Sequence, residues 1–165
     1  MKIFLDTNVL ASALFSTSGS CAEVFRTVSK SKRFRLVTSD HVLEELSKII
    51  VRKSKLALDH PVIQELFAEL SKHELVSSPS YSLDVYVRDP KDIPVLAAAL
   101  ECEADILITG DNDLLVLGTV KNTRIMKPRD FLDLFVSGYL KTFKRTCFLI
   151  VFPRTVCLWS LASSR

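Results

Sequence analysis

Glycine is scarce, with four in 165 residues, which excludes collagen-like chains and flexible glycine linkers. The four cysteines (Cys21, Cys102, Cys147 and Cys157) form no CxxC pair and no recognisable disulfide framework. Reduced thiols in a cytoplasmic protein are the expectation. No apolar run approaches the roughly 20 residues of a membrane-spanning helix. The apolar stretch 147–152 is cut by Pro153 and Arg154. A basic region leading into a long apolar run is missing at the start, so no secretory leader is expected. There is no internal repeat.

A uniform charge bias is missing as well. The net charge is +3, but five basic residues and no acid fall in 137–165, leaving 17 basic against 19 acidic residues in 1–136. The body is mildly acidic and the basic excess belongs to the tail. Bulk charge is therefore no argument for nucleic-acid binding.

What is present is organised around the first eight residues. The apolar run Ile3-Phe4-Leu5 ends in Asp6-Thr7-Asn8, with a helical pattern following. A buried parallel strand delivers a carboxylate to the carboxyl edge of its sheet in this way, and open α/β sheets bind ligands just beyond that edge. Further along, Leu36 to Ser39 reads as a strand and Asp40 as the cap of the helix His41 to Lys53. On that helix Glu44 lies roughly 150° from the centre of the apolar stripe and Glu45 roughly 110°, so Glu45 is the one that can reach a cleft. Pro61 opens a helix towards His73, and Glu74 to Ser77 is a short strand. Asp89-Pro90-Lys91-Asp92 is a turn, with Asp92 capping the apolar helix Ile93 to Cys102. Asp105 to Thr109 is a strand ending at Gly110-Asp111-Asn112-Asp113, and Arg124 to Met126 is a last edge strand before the helix Pro128 to Phe135. Strands alternating with helices predict a three-layer α/β/α domain with a central parallel sheet of about five strands. That domain spans 1–136, and 137–165 form a basic, apolar extension.

Singly, Asp6, Asp92 and Asp111 could each be a helix cap. Together they sit at one sheet edge, because right-handed crossovers bring all these strand and helix ends to one side. Two bare carboxylates about 4 Å apart repel by roughly 4 kcal/mol at an effective dielectric of 20. Four converging acids (Asp6, Glu45, Asp92, Asp111) therefore call for protons or cations, and oxygen ligands without histidine or cysteine suit magnesium or manganese. Asp113 is a fifth candidate, and Thr7, Asn8, Ser39 and Thr109 are candidates to hold the carboxylates. Arg88 and Lys91, with Arg52 and Lys53, are weaker candidates to steer a substrate strand.

The stretches Leu5–Asn8, Ser39–Leu46, Arg88–Asp92 and Thr109–Leu115 resemble the PIN-domain nucleases, and within them the VapC-like toxins of toxin–antitoxin systems. Order and spacing agree from residue 1 to about 136. The resemblance implies that Asp6, Glu45, Asp92 and Asp111 are the metal-binding acids, with Asp113 a helper. It also implies hydrolysis of RNA, a homodimer and neutralisation by a small cognate antitoxin protein. A phosphoaspartate phosphatase or receiver domain is a competing reading, but Asn8 stands where the phosphatase wants a second acid. A binding module that keeps the fold without nuclease activity is another.

Overall fold

Short apolar runs bounded by polar turns build the sheet. The computed structural model describes residues 1–16, 18–54, 60–77 and 85–136. Its strands are β1 (Lys2–Leu5), β2 (Arg35–Ser39), β3 (Glu74–Val76), β4 (Ile106–Ile108), β5 (Thr119–Val120) and β6 (Thr123–Met126), in the order β3-β2-β1-β4-β6-β5. All neighbours run parallel except β5 and β6. Ile3, Phe4 and Leu5 are fully buried, as expected of a central strand covered on both faces.

Helices flank this sheet: α1 (Thr7–Phe15), α2 (Ser20–Lys30), α3 (Asp40–Ser54), α4 (Pro61–Leu70), α5 (Ile93–Glu101), α6 (Asn112–Leu115) and α7 (Pro128–Phe131). A 3-10 turn, Pro90–Asp92, leads into α5, and a π-helical turn, Leu132–Val136, follows α7. Helix α1 packs against α2 and α3. The connection from β3 to β4 runs back across the sheet, so the handedness rule assigns α5 to the opposite face. Phe131, fully buried, joins α7 to the rest through ring contacts with Phe34 and Phe135, centroids 5.3 and 5.4 Å away.

The expected parallel sheet of about five strands is there as β3, β2, β1, β4 and β6, and β5, two residues folded back antiparallel on β6, adds a sixth strand. A strand of two residues has no periodicity to read. The cap of α3 is Ser39 rather than Asp40: the Ser39 Oγ accepts from the Val42 N–H at 3.3 Å, and Asp40 is already helical. Asp92 precedes α5 but makes no side-chain capping bond. The extension 137–165, with Cys147 and Cys157, lies outside the described residues; Cys21 and Cys102 are free thiols. Among the described residues no helix is long and apolar enough to cross a membrane.

Strand order fixes where a ligand can bind. From β1 the chain proceeds to β2 on one side, while β4, its other neighbour, leads on to β6. The crevice at such a reversal opens beyond the carboxyl ends of the two central strands. Asp6 follows β1, and Thr109 to Asp113 follow β4.

Candidate metal centre

A single hydroxyl ties the two central strand ends together. The Asp6 backbone N–H donates to the Ile108 carbonyl at 3.1 Å, locking the acid to the neighbouring strand. The Thr109 Oγ1 then donates to Asp6 Oδ2 at 2.6 Å and accepts from the Asp111 N–H at 2.9 Å. Asn8 Oδ1 accepts from the Gly110 N–H at 3.2 Å, so the amide after the first acid steadies the turn that carries the next. On the α3 side, Thr7 Oγ1 donates to Glu45 Oε2 at 2.9 Å. Glu45 is half-buried and Glu44 exposed, as the helical phase requires.

The remaining acids arrive from two turns. Asp111 Oδ1 accepts from the Asp113 N–H at 2.8 Å, so Asp111 does cap the short helix α6. Asp89, not Asp92, caps the 3-10 turn, accepting from the Lys91 N–H at 3.0 Å. Asp92 is left with its Oδ2 buried and without a partner among the described residues. One carboxylate oxygen from each of Asp92, Asp111 and Asp113 lies within 4.8 Å of the others.

This crowding shows in proton affinity. Burial, followed by the charges of Asp111, Asp6, Asp89 and Asp113, pushes Asp92 up to about 6. Asp6 is also held above the usual carboxylate range, chiefly by burial, against the lowering effect of the Thr109 hydrogen bond. An orphaned buried oxygen inside an all-oxygen donor set fits a hard divalent cation, which would satisfy Asp92 and cancel the repulsion.

The tertiary arrangement divides the expected residues. Asp92 and Asp111 meet, and Glu45, held by Thr7, is near enough for its charge to act on Asp6, held by Thr109. Asp113, expected as a helper, brings a carboxylate oxygen within 4.8 Å of oxygens of Asp92 and Asp111. Thr7 and Thr109 hold carboxylates as expected, whereas Ser39 serves the α3 cap. Arg88 grips Asp113, Nη2 to Oδ1 at 2.9 Å and Nε to Oδ2 at 3.1 Å. Nothing in the local sequence signals that pairing across 25 positions. Lys91 is exposed on the 3-10 turn. Arg52 and Lys53 lie at the far end of α3, about 18 Å along the helix from its site end, and are not part of the cluster.

The family model of the PIN domain matches residues 2–113, which include every acid just described. An uncharacterized protein of Methanocaldococcus jannaschii is 26% identical over 145 residues, 82% of this chain and 92% of that protein. Among solved structures, a chain of VapBC2 from Rickettsia felis, crystallised with a DNA fragment from its promoter, shares the fold at a TM-score of 0.50. It is 14% identical, and the match covers 77% of this chain and 98% of that one.

Proposed function

This chain belongs to the PIN-domain family, and from that premise we propose that it is a divalent-cation-dependent endoribonuclease, the toxin of a toxin–antitoxin pair. The carrying observation is that Asp92 keeps a buried, unpartnered Oδ2 and is also one of three carboxylates with mutual oxygens within 4.8 Å. Helix caps have no use for such an atom; a cation site does.

Asp92, Asp111 and Asp113 would hold the cation, with Asp6 and Glu45 completing the acidic wall. Magnesium or manganese, when bound, supplies a Lewis acid for the scissile phosphate and lowers the pKa of its water. The chain's own part is orientation. Thr109 fixes the Asp6 carboxylate, Thr7 fixes Glu45, and the α6 turn aims Asp111. Arg88, largely exposed at the rim, can leave Asp113 for a phosphate oxygen when a cation takes its place. Lys91, exposed on the 3-10 turn, would be a second contact to the RNA backbone.

The chemistry is contained in residues 1–136, with 137–165 an extension outside it. The toxin assignment rests on the order and spacing of the four motifs. It carries with it a homodimer, a small cognate antitoxin and a cytoplasmic site of action.

Calorimetric titration of manganese into the parent and into Asp92→Asn/Asp111→Asn tests the reading, followed by cleavage of an RNA oligonucleotide. Binding and cleavage in the parent, both lost in the double variant, are expected. A folded parent that binds no manganese, with or without RNA, overturns it.

A further inference from the structure

Seven large apolar side chains are exposed among the described residues, and three of them lie within three positions of Arg88, Asp92 or Asp113. Tyr86 and Val116, 84% and 85% exposed, are the most open of the seven, and Ile93 follows Asp92 directly. Scattered singly, such residues need no explanation; these are grouped round one site. Tyr86 is also the only exposed aromatic residue among the described ones, and it takes no part in the ring contacts there.

The chain fixes where they stand. Burial alternates through residues 86–88, with Val87 in the core and Tyr86 and Arg88 exposed. The ring and the guanidinium therefore leave the backbone on the same side. Two residues span at most about 7 Å, and Arg88 is anchored on Asp113 at 2.9 Å. The ring thus stands at the rim of the carboxylate cluster. Across the ion pair, Val116 closes the α6 turn, its N–H donating to the Asn112 carbonyl at 3.1 Å. It shares a helical face with Asp113, three residues earlier.

A nucleotide offers a partner to each part of this rim. Its phosphate suits Arg88 and Lys91, and its base has a π-face that a tyrosine ring stacks on whatever the sequence. An apolar peptide would use Tyr86, Ile93 and Val116 but leave both cations without an anion. A base inside a duplex has its faces covered by its neighbours, so the ring takes only an unpaired one. We propose that Tyr86 stacks the base next to the scissile phosphate and so selects single-stranded segments of RNA. This role rests on the nuclease reading, because the phosphate that places the base is the one a cation would hold.

The test is steady-state cleavage in manganese, by the full chain, of a single-stranded RNA oligonucleotide whose cut site has been mapped. Tyr86→Ala is expected to lower kcat/KM about fivefold or more, the low end of a base–aromatic stack, chiefly by raising KM. Tyr86→Phe and Tyr86→Trp should restore most of the loss, because both keep a stacking face. Oligonucleotides with an abasic nucleotide on one or the other side of the cut give a second readout. One of them should slow the parent by the same factor and leave Tyr86→Ala unaffected, which a structural role for the ring would not produce. The parent should also cut the single strand faster than its complementary duplex, and Tyr86→Ala should narrow that ratio. The manganese isotherm and melting temperature of Tyr86→Ala should match those of the parent. Parent-like cleavage by Tyr86→Ala overturns the proposal, and so does a Tyr86→Phe variant as slow as Tyr86→Ala. An equal loss on intact and abasic strands also overturns it, leaving the ring to a protein partner. A parent that binds manganese and cuts no RNA overturns the nuclease reading with it, whereas parent-like cleavage by Tyr86→Ala removes this role alone.

Discussion

The Thr109 hydroxyl donates to the Asp6 carboxylate across 2.6 Å, joining the ends of two adjacent parallel strands at the point where strand order reverses. The same oxygen accepts the Asp111 N–H, so one fully buried side chain positions two acids from different strands. Thr109→Val keeps the shape and removes both bonds. The expected outcome is a loss of about 1–3 kcal/mol in denaturant unfolding, the cost of leaving a buried acceptor unpaired. Manganese affinity should fall about 10- to 100-fold by calorimetry, as when a group holding a metal ligand is removed.

Asp92 makes the cation-free protein sensitive to pH. Its folded pKa, about 6, lies above its ordinary value of 3.8. The folded state therefore holds the proton more tightly than the unfolded chain. The stabilisation this gives is fully present below pH 3.8 and is lost as pH rises through about 6. In EDTA, Asp92→Asn should remove this component of the pH dependence and melt higher than the parent at pH 8. A rise of about 2–4 °C corresponds to about 1 kcal/mol in a domain of this size. A variant that melts lower than the parent at pH 8 would contradict the repulsion.

Manganese binding should show the opposite trend to apo stability. Protons compete with the cation for Asp92, so affinity should rise between pH 5 and about 7 and then level off. Calorimetry at several pH values, repeated in buffers of different ionisation enthalpy, reads the released proton directly.

Arg88 competes with a cation for Asp113. Because its side chain is 79% exposed, solvent screens the pair and its worth is at most about 1 kcal/mol. Arg88→Ala should therefore tighten manganese binding by no more than about fivefold, while slowing RNA cleavage through loss of a phosphate contact. Asp113→Asn should weaken binding instead. Equal effects of the two substitutions on the manganese isotherm would rule out the competition.

Phe131 anchors the last described helix between Phe34 and Phe135. It is fully buried, so Phe131→Ala should cost about 3–5 kcal/mol in unfolding free energy. Because its ring packs on Phe34 and Phe135, manganese affinity of the folded fraction should not change.

The sequence by itself determined the alternation of strands and helices and the placing of Asp6 and Asp111 at the ends of buried strands. Both follow from local pattern, short apolar runs giving way to helical periodicity, and the crossover rule then carries the acids to one edge. The phase of α3 likewise separated Glu45 from Glu44. Only the tertiary structure decided which oxygens converge. Asp92, Asp111 and Asp113 bring one carboxylate oxygen each within 4.8 Å of the others, and the choice of Asp89 as the turn's cap leaves the Asp92 carboxylate unclaimed. The Arg88–Asp113 pair, the Ser39 cap and the two-residue strand β5 were equally out of reach. Each depends on side-chain geometry or on contacts between distant positions, which a one-dimensional period does not encode.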